Sequence, residues 1–525
     1  MVFTTVKYLI FFSIIFLIYY LVPKKKQWIV LLFANIYFYL CACTSVWYIL
    51  FVICASFITY YGALQLEKIE NQKNTYIKEN KETLSKDEKK IYKANIDKKK
   101  KKILAISIIL TLGILVIMKY TGFIFENIKS IINKFNSNFN FISLDFLLPL
   151  GISFYTFMSL GYLIDIYRNE YDAEKNFFKY FLYITYFPHI LQGPIDKYKE
   201  LSEQLSTEKN FDYTNSVKSL YRIVLGVFKK VVVADNLAIV ISTVTSNLEQ
   251  YYGINIFITI VLYAIQLYAD FSGYMDIAIG CSNMLGIKIT ENFEAPYFSK
   301  SIAEYWRRWH MSLGSWFRDY LYYPLLRCNI SEKIRKYFKN KEKKYLSNIM
   351  PTVFSMLVFW TLIGVWHGAT WAYILYGIYH GSIMIISTIL TPVYNKFYEK
   401  FPKLIKSKFY SWFQITRTFL LVVVGYFLFS VGDLGKSIQM LKNMFLLSKE
   451  SLTIRSLTTK ECKISILMGI FIIFIFDWCL LKNIDIYERF RKIPSLIRWM
   501  IYILGIVIIT LFSSGNAQEF IYFQF

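Results

Sequence analysis

Long apolar runs alternate with short polar and basic segments along the chain. A hydrocarbon core about 30 Å thick is crossed by a helix of roughly 20 apolar residues. The apolar residues form continuous runs rather than a period-two alternation, so the pattern predicts an all-α polytopic membrane protein. The predicted membrane segments are residues 8–22, 28–43, 46–64, 103–120, 144–166, 220–244, 254–285, 350–363, 371–390, 416–431, 464–481 and 496–512.

Some apolar stretches are too short or too broken to cross the membrane alone. Residues 177–190 form one of them, and Gly193 and Pro194 lie shortly after it. Broken helices are tolerated at membrane depth only where protein or a water-filled cavity surrounds them. We therefore expect about 11 full spans together with partial or interfacial helices.

Composition supports a membrane protein and narrows the possible partners. Of the 525 residues, 55% are hydrophobic and 18% are charged, whereas soluble domains have roughly 45–50% apolar and about 25% charged residues. The 60 Lys and Arg residues exceed the 36 Asp and Glu residues by 24. Much of this charge lies in short segments between apolar runs, so the lipid bilayer and not nucleic acid is the expected partner. The seven cysteines lack paired metal-ligand spacing, which predicts buried free thiols and no metal site.

Two basic segments predict the orientation of the first helices. They are Lys24–Lys26 and residues 65–102, which contain 13 Lys and seven Asp or Glu residues. Placing both in the cytoplasm, as the positive-inside rule requires, puts the amino terminus outside the cell membrane. Residues 65–102 are expected to form a solvated cytosolic helical hairpin rather than a specific binding tail.

Histidine is the side chain best matched to proton transfer near neutral pH, and the chain has four histidines. His367 lies in the sequence IGVWHGATW (363–371), inside an apolar region, where an ionisable side chain is a functional candidate by default. An interhelical hydrogen bond is the structural alternative. In a continuous helix over 366–390, His380 would lie roughly 20 Å along the axis from His367, so we expect a structural role for His380. His189 is expected to be a packing histidine.

Residues 304–324 combine aromatic and basic positions. At helical spacing, Arg307, His310, Gly314 and Arg318 form one stripe beside an aromatic face. The segment is predicted either to lie at the membrane interface or to pack inside the helix bundle. In the second case it would offer Arg and His to an anionic or acyl-bearing ligand. Asp270 and Asp276 need partners at membrane depth, and this following Arg-rich helix is the expected source.

Seven motifs follow one another along the chain: LPLGISFYTF (148–157), YFPHILQGPI (186–195), DFSGYMD (270–276), ENF (291–293), YWRRWHMSL (305–313), WFRDYLY (316–322) and GVWHG (364–368). Their order and spacing resemble those of the membrane-bound O-acyltransferase family, in its alginate O-acetyltransferase-like branch. The terminal sequence FIYFQF (520–525) also resembles the end of that branch, whereas residues 193–198 look more like the D-alanyl-teichoic-acid branch.

The resemblance implies a ring of membrane helices around a thinned centre, with a funnel or tunnel leading to a histidine. His367 corresponds to the family's catalytic histidine and His310 to its second histidine. We expect Arg307, Arg318, Trp366 and Asp319 to contact substrate. The chain is interpreted as one membrane domain, with N-terminal helices over 1–144, a catalytic core over 145–385 and C-terminal helices over 386–525.

The expected activity is transfer of acetyl from cytosolic acetyl-CoA, with no bound cofactor, towards a cell-envelope or extracellular polysaccharide. The acetyl group passes to the polysaccharide directly or through a secreted or membrane-anchored acetyltransferase partner. D-alanyl transfer to teichoic acid from a carrier protein is the alternative within enzymes. A transporter is the alternative from another class, because buried charges in broken helices also line substrate paths.

Overall fold

A computed structural model describes residues 1–134, 148–446, 452–454, 457, 459–513 and 520–521. Throughout these residues the regular structure is helical, and they include an isolated antiparallel bridge between Phe293 and Trp309. The start of the predicted segment 144–166 and residues 522–525 of the terminal motif lie outside the described residues. The all-helical fold class predicted from the apolar runs is confirmed.

The chain divides into two compact units. The first unit comprises residues 1–217 and 281–290. Its helices are α1 (Val6–Leu21), α2 (Gln27–Ala42), α3 (Ile49–Glu79), α4 (Lys86–Ile132), α5 (Ile152–Tyr167), α6 (Phe177–Thr185) and α7 (Tyr198–Ser206), followed by the start of α8 (Tyr213–Phe228).

The second unit comprises residues 218–280 and 291–525 and contains all the histidines except His189. After the rest of α8 and a π-helical segment (Lys229–Ala234), its helices are α9 (Asp235–Ser246), α10 (Ile254–Met284, whose last turn belongs to the first unit), α11 (Ile302–Arg308), α12 (Met311–Phe317), α13 (Tyr323–Leu326), α14 (Asn329–Asn340), α15 (Lys344–His367), α16 (Trp371–Ile389), α17 (Thr391–Lys400), α18 (Pro402–Ile405), α19 (Lys408–Phe429), α20 (Leu434–Phe445), α21 (Lys460–Leu481), α22 (Ile486–Arg491) and α23 (Ser495–Leu511).

Seven helices among the described residues are long and apolar enough to cross a membrane: Val46–Glu79, Lys86–Ile132, Ile254–Met284, Lys344–His367, Trp371–Ile389, Lys408–Phe429 and Cys462–Leu481. Two further apolar helices, Val6–Leu21 and Ser495–Leu511, are shorter. The number of long spans is below the expected 11 because several predicted segments form helices of 16 residues, such as α2 and α5. The predicted segment 220–244 is interrupted by the π-helical turn that carries two buried lysines.

The basic region at residues 65–102 is a helical hairpin, as predicted. Helix α3 continues to Glu79 and α4 begins at Lys86, after a capping box in which Ser85 and Glu88 bond each other's backbone N–H groups. This reciprocal capping satisfies two backbone donors that a helix start leaves open. The Tyr76 and Tyr92 rings pack across the hairpin with centroids 4.4 Å apart.

The seven cysteines are free, as predicted, but their burial differs from the prediction. Cys281 is buried, whereas Cys41 and Cys54 are exposed on apolar helices and the other four are partly exposed. A cysteine among apolar sequence neighbours is expected to be buried only if the protein is water-soluble. In membrane helices the same surroundings also describe the outer, lipid-facing surface.

Buried carboxylates of α10 are paired, as expected, but their partners differ from the prediction. Asp276 accepts hydrogen bonds from Lys229 at 2.8 Å and from Arg222 at 3.0 Å. Asp270 pairs with Lys230 at 2.7 Å, and Lys230 also contacts Asp235 at 2.8 Å. The cations therefore come from α8 and its π-helical continuation and not from the later Arg-rich segment.

The Asp270 cluster also holds residues 520 and 521. The second oxygen of Asp270 accepts the backbone N–H of Ile521 at 2.8 Å. The Phe520 ring lies 4.4 Å from the Lys230 ammonium and 4.9 Å from the Tyr274 ring. Asp270 and Lys230 are almost completely buried. Each neutralises the charge of the other, and an unpaired charge in this interior would lower the stability of the fold.

Replacement of Asp270 tests this interpretation. Asp270→Ala leaves the buried Lys230 with one carboxylate fewer, and breaking a buried pair in this way costs about 3–5 kcal/mol of unfolding free energy. Glu291→Ala removes an exposed partner of Arg222 and serves as the matched control, with an expected loss of about 0–1 kcal/mol. Both values are measurable by denaturant unfolding in one detergent. Equal losses for the two variants would contradict a stabilising role of the buried cluster.

Candidate active site

The chain reverses direction directly after His367. Helix α15 ends at this residue, Gly368 is extended, and α16 begins at Trp371. The two helices approach closely because glycines face the opposing backbone. A Cβ atom on Gly364 would lie 2.6 Å from the Tyr373 carbonyl oxygen, and one on Gly377 would lie 2.3 Å from the Trp360 carbonyl oxygen. Larger side chains at these two positions would push the helices apart.

Aromatic rings surround the His367 imidazole, which is 3% exposed. Its ring centroid lies 4.8 Å from Trp366, 5.0 Å from Phe429 and 5.8 Å from Tyr376. Phe429 and Tyr376 present their rings nearly perpendicular to the imidazole. His367, the functional candidate that its apolar sequence surroundings indicate, is therefore buried within the second unit. In such a water-poor interior, electrostatic interactions are strong.

The expected separation of His380 from His367 is wrong. The prediction assumed one continuous helix, but the chain folds back at Gly368, and α16 runs beside α15. Tyr376 contacts both imidazoles, with centroid distances of 5.8 Å to His367 and 4.7 Å to His380. Because these two distances add to 10.5 Å, the imidazole centroids are no farther apart than that. His380 packs among Trp306, Trp360 and Tyr379.

The Arg-rich segment is not the single helix that its spacing predicts. Helix α11 ends at Arg308, α12 begins at Met311, and a π-helical turn (Arg318–Tyr322) follows. The break occurs where Trp309 pairs with Phe293 in the isolated bridge and Glu294 donates its N–H to the Arg308 carbonyl at 3.0 Å. These backbone hydrogen bonds replace those of a continuous helix. The predicted stripe of Arg307, His310, Gly314 and Arg318 therefore does not lie on one helix face.

His310 occupies this break in the left-handed backbone conformation, with φ at 46°. This conformation costs a residue other than glycine roughly 1–2 kcal/mol. Two hydrogen bonds to Asn292 hold the turn. The Asn292 carbonyl oxygen accepts the Met311 N–H and its side-chain Oδ1 accepts the Ser312 N–H, both at 3.0 Å. Observed backbone strain of this kind is concentrated at functional sites.

The imidazole of His310 is buried, with 2% exposure. Burial lowers the pKa of His310 to about 3, so this imidazole is neutral at physiological pH. Its Nδ1 lies 3.4 Å from Asn292 Oδ1, and its ring meets the edge of Phe271 at a centroid distance of 4.8 Å.

Trp366 connects the two candidate histidines. Its ring centroid lies 6.0 Å from that of His310 and 4.8 Å from that of His367. These distances add to 10.8 Å, which is the largest possible separation of the imidazole centroids. The structure thus brings His310, Trp366 and His367 into one buried cluster, which we call the histidine cluster.

The other predicted substrate contacts lie nearer the surface. Arg307 is exposed on α11. Arg318 donates from Nε to the neighbouring Asp319 carboxylate at 3.0 Å, and about half of the Arg318 side chain is exposed. An exposed arginine remains available to the phosphates of a large ligand, but these three residues are not packed into the buried cluster as Trp366 is.

Sequence reasoning missed three residues that shape the site. Tyr376 and Phe429 carry no signal beyond aromatic character, and Phe429 is 62 positions from His367 in the sequence. Asn292 is part of a quoted motif, but its role depends on the left-handed turn at His310, which is visible only in the structure. His189, in the first unit, is completely buried, and its Nε2 lies 3.1 Å from the Tyr183 carbonyl oxygen. Its packing role stays a prediction.

Comparison with known proteins places this geometry in a family. The model of MBOAT, the membrane-bound O-acyltransferase family, matches residues 169–424, which include the histidine cluster. A protein named "Probable alginate O-acetylase AlgI" from Pseudomonas putida is 35% identical over 334 residues, covering 64% of this chain and 62% of that protein. The chain therefore aligns with less than two thirds of the length of such alginate O-acetylases.

The names of two other relatives refer to different polymers. A peptidoglycan O-acetyltransferase from Helicobacter pylori is 28% identical over 454 residues, covering 81% of this chain and 75% of that protein. A teichoic acid D-alanyltransferase from Bacillus subtilis is 31% identical over 293 residues, covering 54% of this chain and 68% of that protein. With these matches and the buried histidine that the motifs predict, the chain belongs to the membrane-bound O-acyltransferase family.

Proposed function

We propose that this protein is an O-acyltransferase that moves acetyl from cytosolic acetyl-CoA to a hydroxyl of a cell-envelope or extracellular polysaccharide. The acetyl group reaches the polysaccharide directly or through a secreted or membrane-anchored acetyltransferase partner. The observation that carries the proposal is the burial of His367 beside Trp366 and His310, in a chain of this family.

In this mechanism His367 acts as the general base. Its imidazole takes the proton of the attacking hydroxyl, the hydroxyl oxygen forms a bond to the thioester carbonyl carbon, and the carbon–sulfur bond breaks. The CoA thiolate leaves and takes up the proton that His367 holds, which returns the imidazole to its neutral form. Trp366, Tyr376 and Phe429 exclude water from the imidazole, which favours transfer to the acceptor over hydrolysis of the thioester.

The length of α15 supports transfer from one side of the membrane to the other. The helix begins next to the basic segment 341–344 and has 24 residues, so His367 lies about 35 Å along the axis from its start. That distance is comparable to a hydrocarbon core about 30 Å thick. With the basic start in the cytoplasm, His367 lies towards the outer leaflet, where a polysaccharide acceptor is accessible.

The relatives that align with the larger share of this chain favour an acetyl donor over a D-alanyl donor. An alginate O-acetylase and a peptidoglycan O-acetyltransferase align with 64% and 81% of this chain, whereas the B. subtilis D-alanyltransferase aligns with 54%. D-alanyl transfer is the second candidate because of that third relative. Incubation of the purified protein with labelled acetyl-CoA or with D-alanyl carrier protein distinguishes the two donors.

Paired substitutions test the role of His367. His367→Asn is expected to lower acetyl-CoA turnover about 10²–10⁴-fold, the usual contribution of a general base. His380→Asn is the matched control, because His380 is also buried, also contacts the Tyr376 ring and has no place in the proposed chemistry. It is expected to retain at least ten times more activity than His367→Asn.

Both variants are compared at equal expression and with unchanged melting profiles. Near-wild-type turnover by a folded His367→Asn protein would show that His367 is structural and that the mechanism is wrong. Equal losses in both variants would show that disturbance of the aromatic packing, rather than loss of a base, causes the effect.

Cysteine labelling tests the proposed orientation, in which the amino terminus lies outside the plasma membrane. In a variant with every native cysteine except the buried Cys281 replaced by serine, Lys90→Cys is expected to react with an impermeant maleimide only after the cells are permeabilised. Thr44→Cys, in the exposed turn between α2 and α3, is expected to react in intact cells. Labelling of Lys90→Cys from outside intact cells would overturn this orientation.

A further inference from the structure

Asn292 binds the turn at His310 through both its backbone and its side chain. The Asn292 carbonyl oxygen accepts the Met311 N–H at 3.0 Å, and its Oδ1 accepts the Ser312 N–H at 3.0 Å. The Phe293–Trp309 bridge next to it holds the two strand-like segments in register. The left-handed His310 is therefore followed directly by two backbone amides that Asn292 binds.

The contacts of the Asn292 side chain determine which of its two amide atoms faces His310. A backbone N–H only donates, so the atom that meets Ser312 N–H must be the oxygen. The amide nitrogen points the other way and donates to the sulfur of Met275 at 3.1 Å. A reversed amide would set its own N–H groups against the Ser312 N–H and its oxygen against the sulfur.

The same oxygen then determines the tautomer of His310. Oδ1 lies 3.4 Å from His310 Nδ1, and an acceptor oxygen is matched only by a ring nitrogen that carries a proton. In a neutral imidazole, a proton on Nδ1 leaves a lone pair on Nε2. His310 is therefore an acceptor at Nε2 and cannot donate from that atom.

We propose that Asn292 is a positioning residue that locks His310 in the Nδ1–H tautomer, so that Nε2 accepts a hydrogen bond from a hydroxyl of the acceptor substrate. This inference rests on the proposed function and assigns a role within it. His310 orients the incoming hydroxyl-bearing sugar, whereas the developing oxyanion needs its donor from another group.

Nitrogen-15 NMR of the full-length protein tests the tautomer without reference to activity. The chain has only four histidines, so selective labelling with ¹⁵N-histidine gives few signals. The His310 signals are assigned by their loss in His310→Gln. The expected result is a protonated Nδ1 and an unprotonated Nε2 at neutral pH. An unprotonated Nδ1 with a protonated Nε2 in the wild-type protein would overturn the inference, even if acyl transfer occurs.

Variants of Asn292 test the positioning role. Asn292→Asp keeps an oxygen for both Ser312 N–H and His310 Nδ1–H, and it is expected to keep the tautomer and most of the activity. Asn292→Leu removes that oxygen, and it is expected to abolish the tautomer preference and to lower kcat/KM for the acceptor about 10²-fold, a typical effect of misplaced groups. KM for acetyl-CoA should change little.

Asn236→Leu is the matched control, because Asn236 is also buried in the second unit and bonds the carbonyls of Val232 and Phe512. It is expected to leave the His310 signals unchanged. Retention of the Nδ1–H tautomer in a folded Asn292→Leu protein would contradict the role of Asn292. If every variant and the wild type lack acyl transfer while the wild-type tautomer is as expected, the proposed function fails and the tautomer assignment stands.

Discussion

Close packing of α15 against α16 determines where His367 lies. The two helices meet backbone to backbone at Gly364 and Gly377, and this contact allows the chain to reverse within three residues after His367. The reversal brings Tyr376 against the imidazole, and Phe429 of α19 closes another side. Without the glycines the helix pair would separate, and the aromatic surroundings of His367 would be lost.

A second constraint is the cost of burying polar groups in an apolar interior. In the second unit nearby partners offset this cost: Lys229 and Lys230 neutralise the carboxylates of α10, and Asn292 accepts hydrogen bonds from the two amides that follow His310. The π-helical turn after α8 places consecutive lysines opposite Asp276 and Asp270. The charges that appear in the sequence as interruptions of apolar runs thus hold α8 and α10 together.

The apolar runs and motifs predicted the helical fold, the family and the burial of His367, because helix length and an isolated histidine are local properties of the sequence. Contacts between distant segments were not predictable in this way. The partners of Asp270 and Asp276 come from a segment 40 and more positions upstream, and not from the Arg-rich segment downstream. The position of His380 was misjudged because helical spacing was continued through Gly368. The stripe at Arg307 and Arg318 was misjudged because backbone bonds from residues 292–294 interrupt that helix.

The most direct measurement is a structure of the full-length protein bound to a CoA analogue in which a ketone replaces the thioester. If His367 is the base at the reacting centre, the analogue's carbonyl carbon should lie beside the His367 imidazole, with room for an acceptor oxygen about 3–3.5 Å from that carbon. The rings of Trp366, Tyr376 and Phe429 should contact the acyl end. An analogue bound in one defined place away from both imidazoles, with the aromatic rings still closed around His367, would contradict this mechanism.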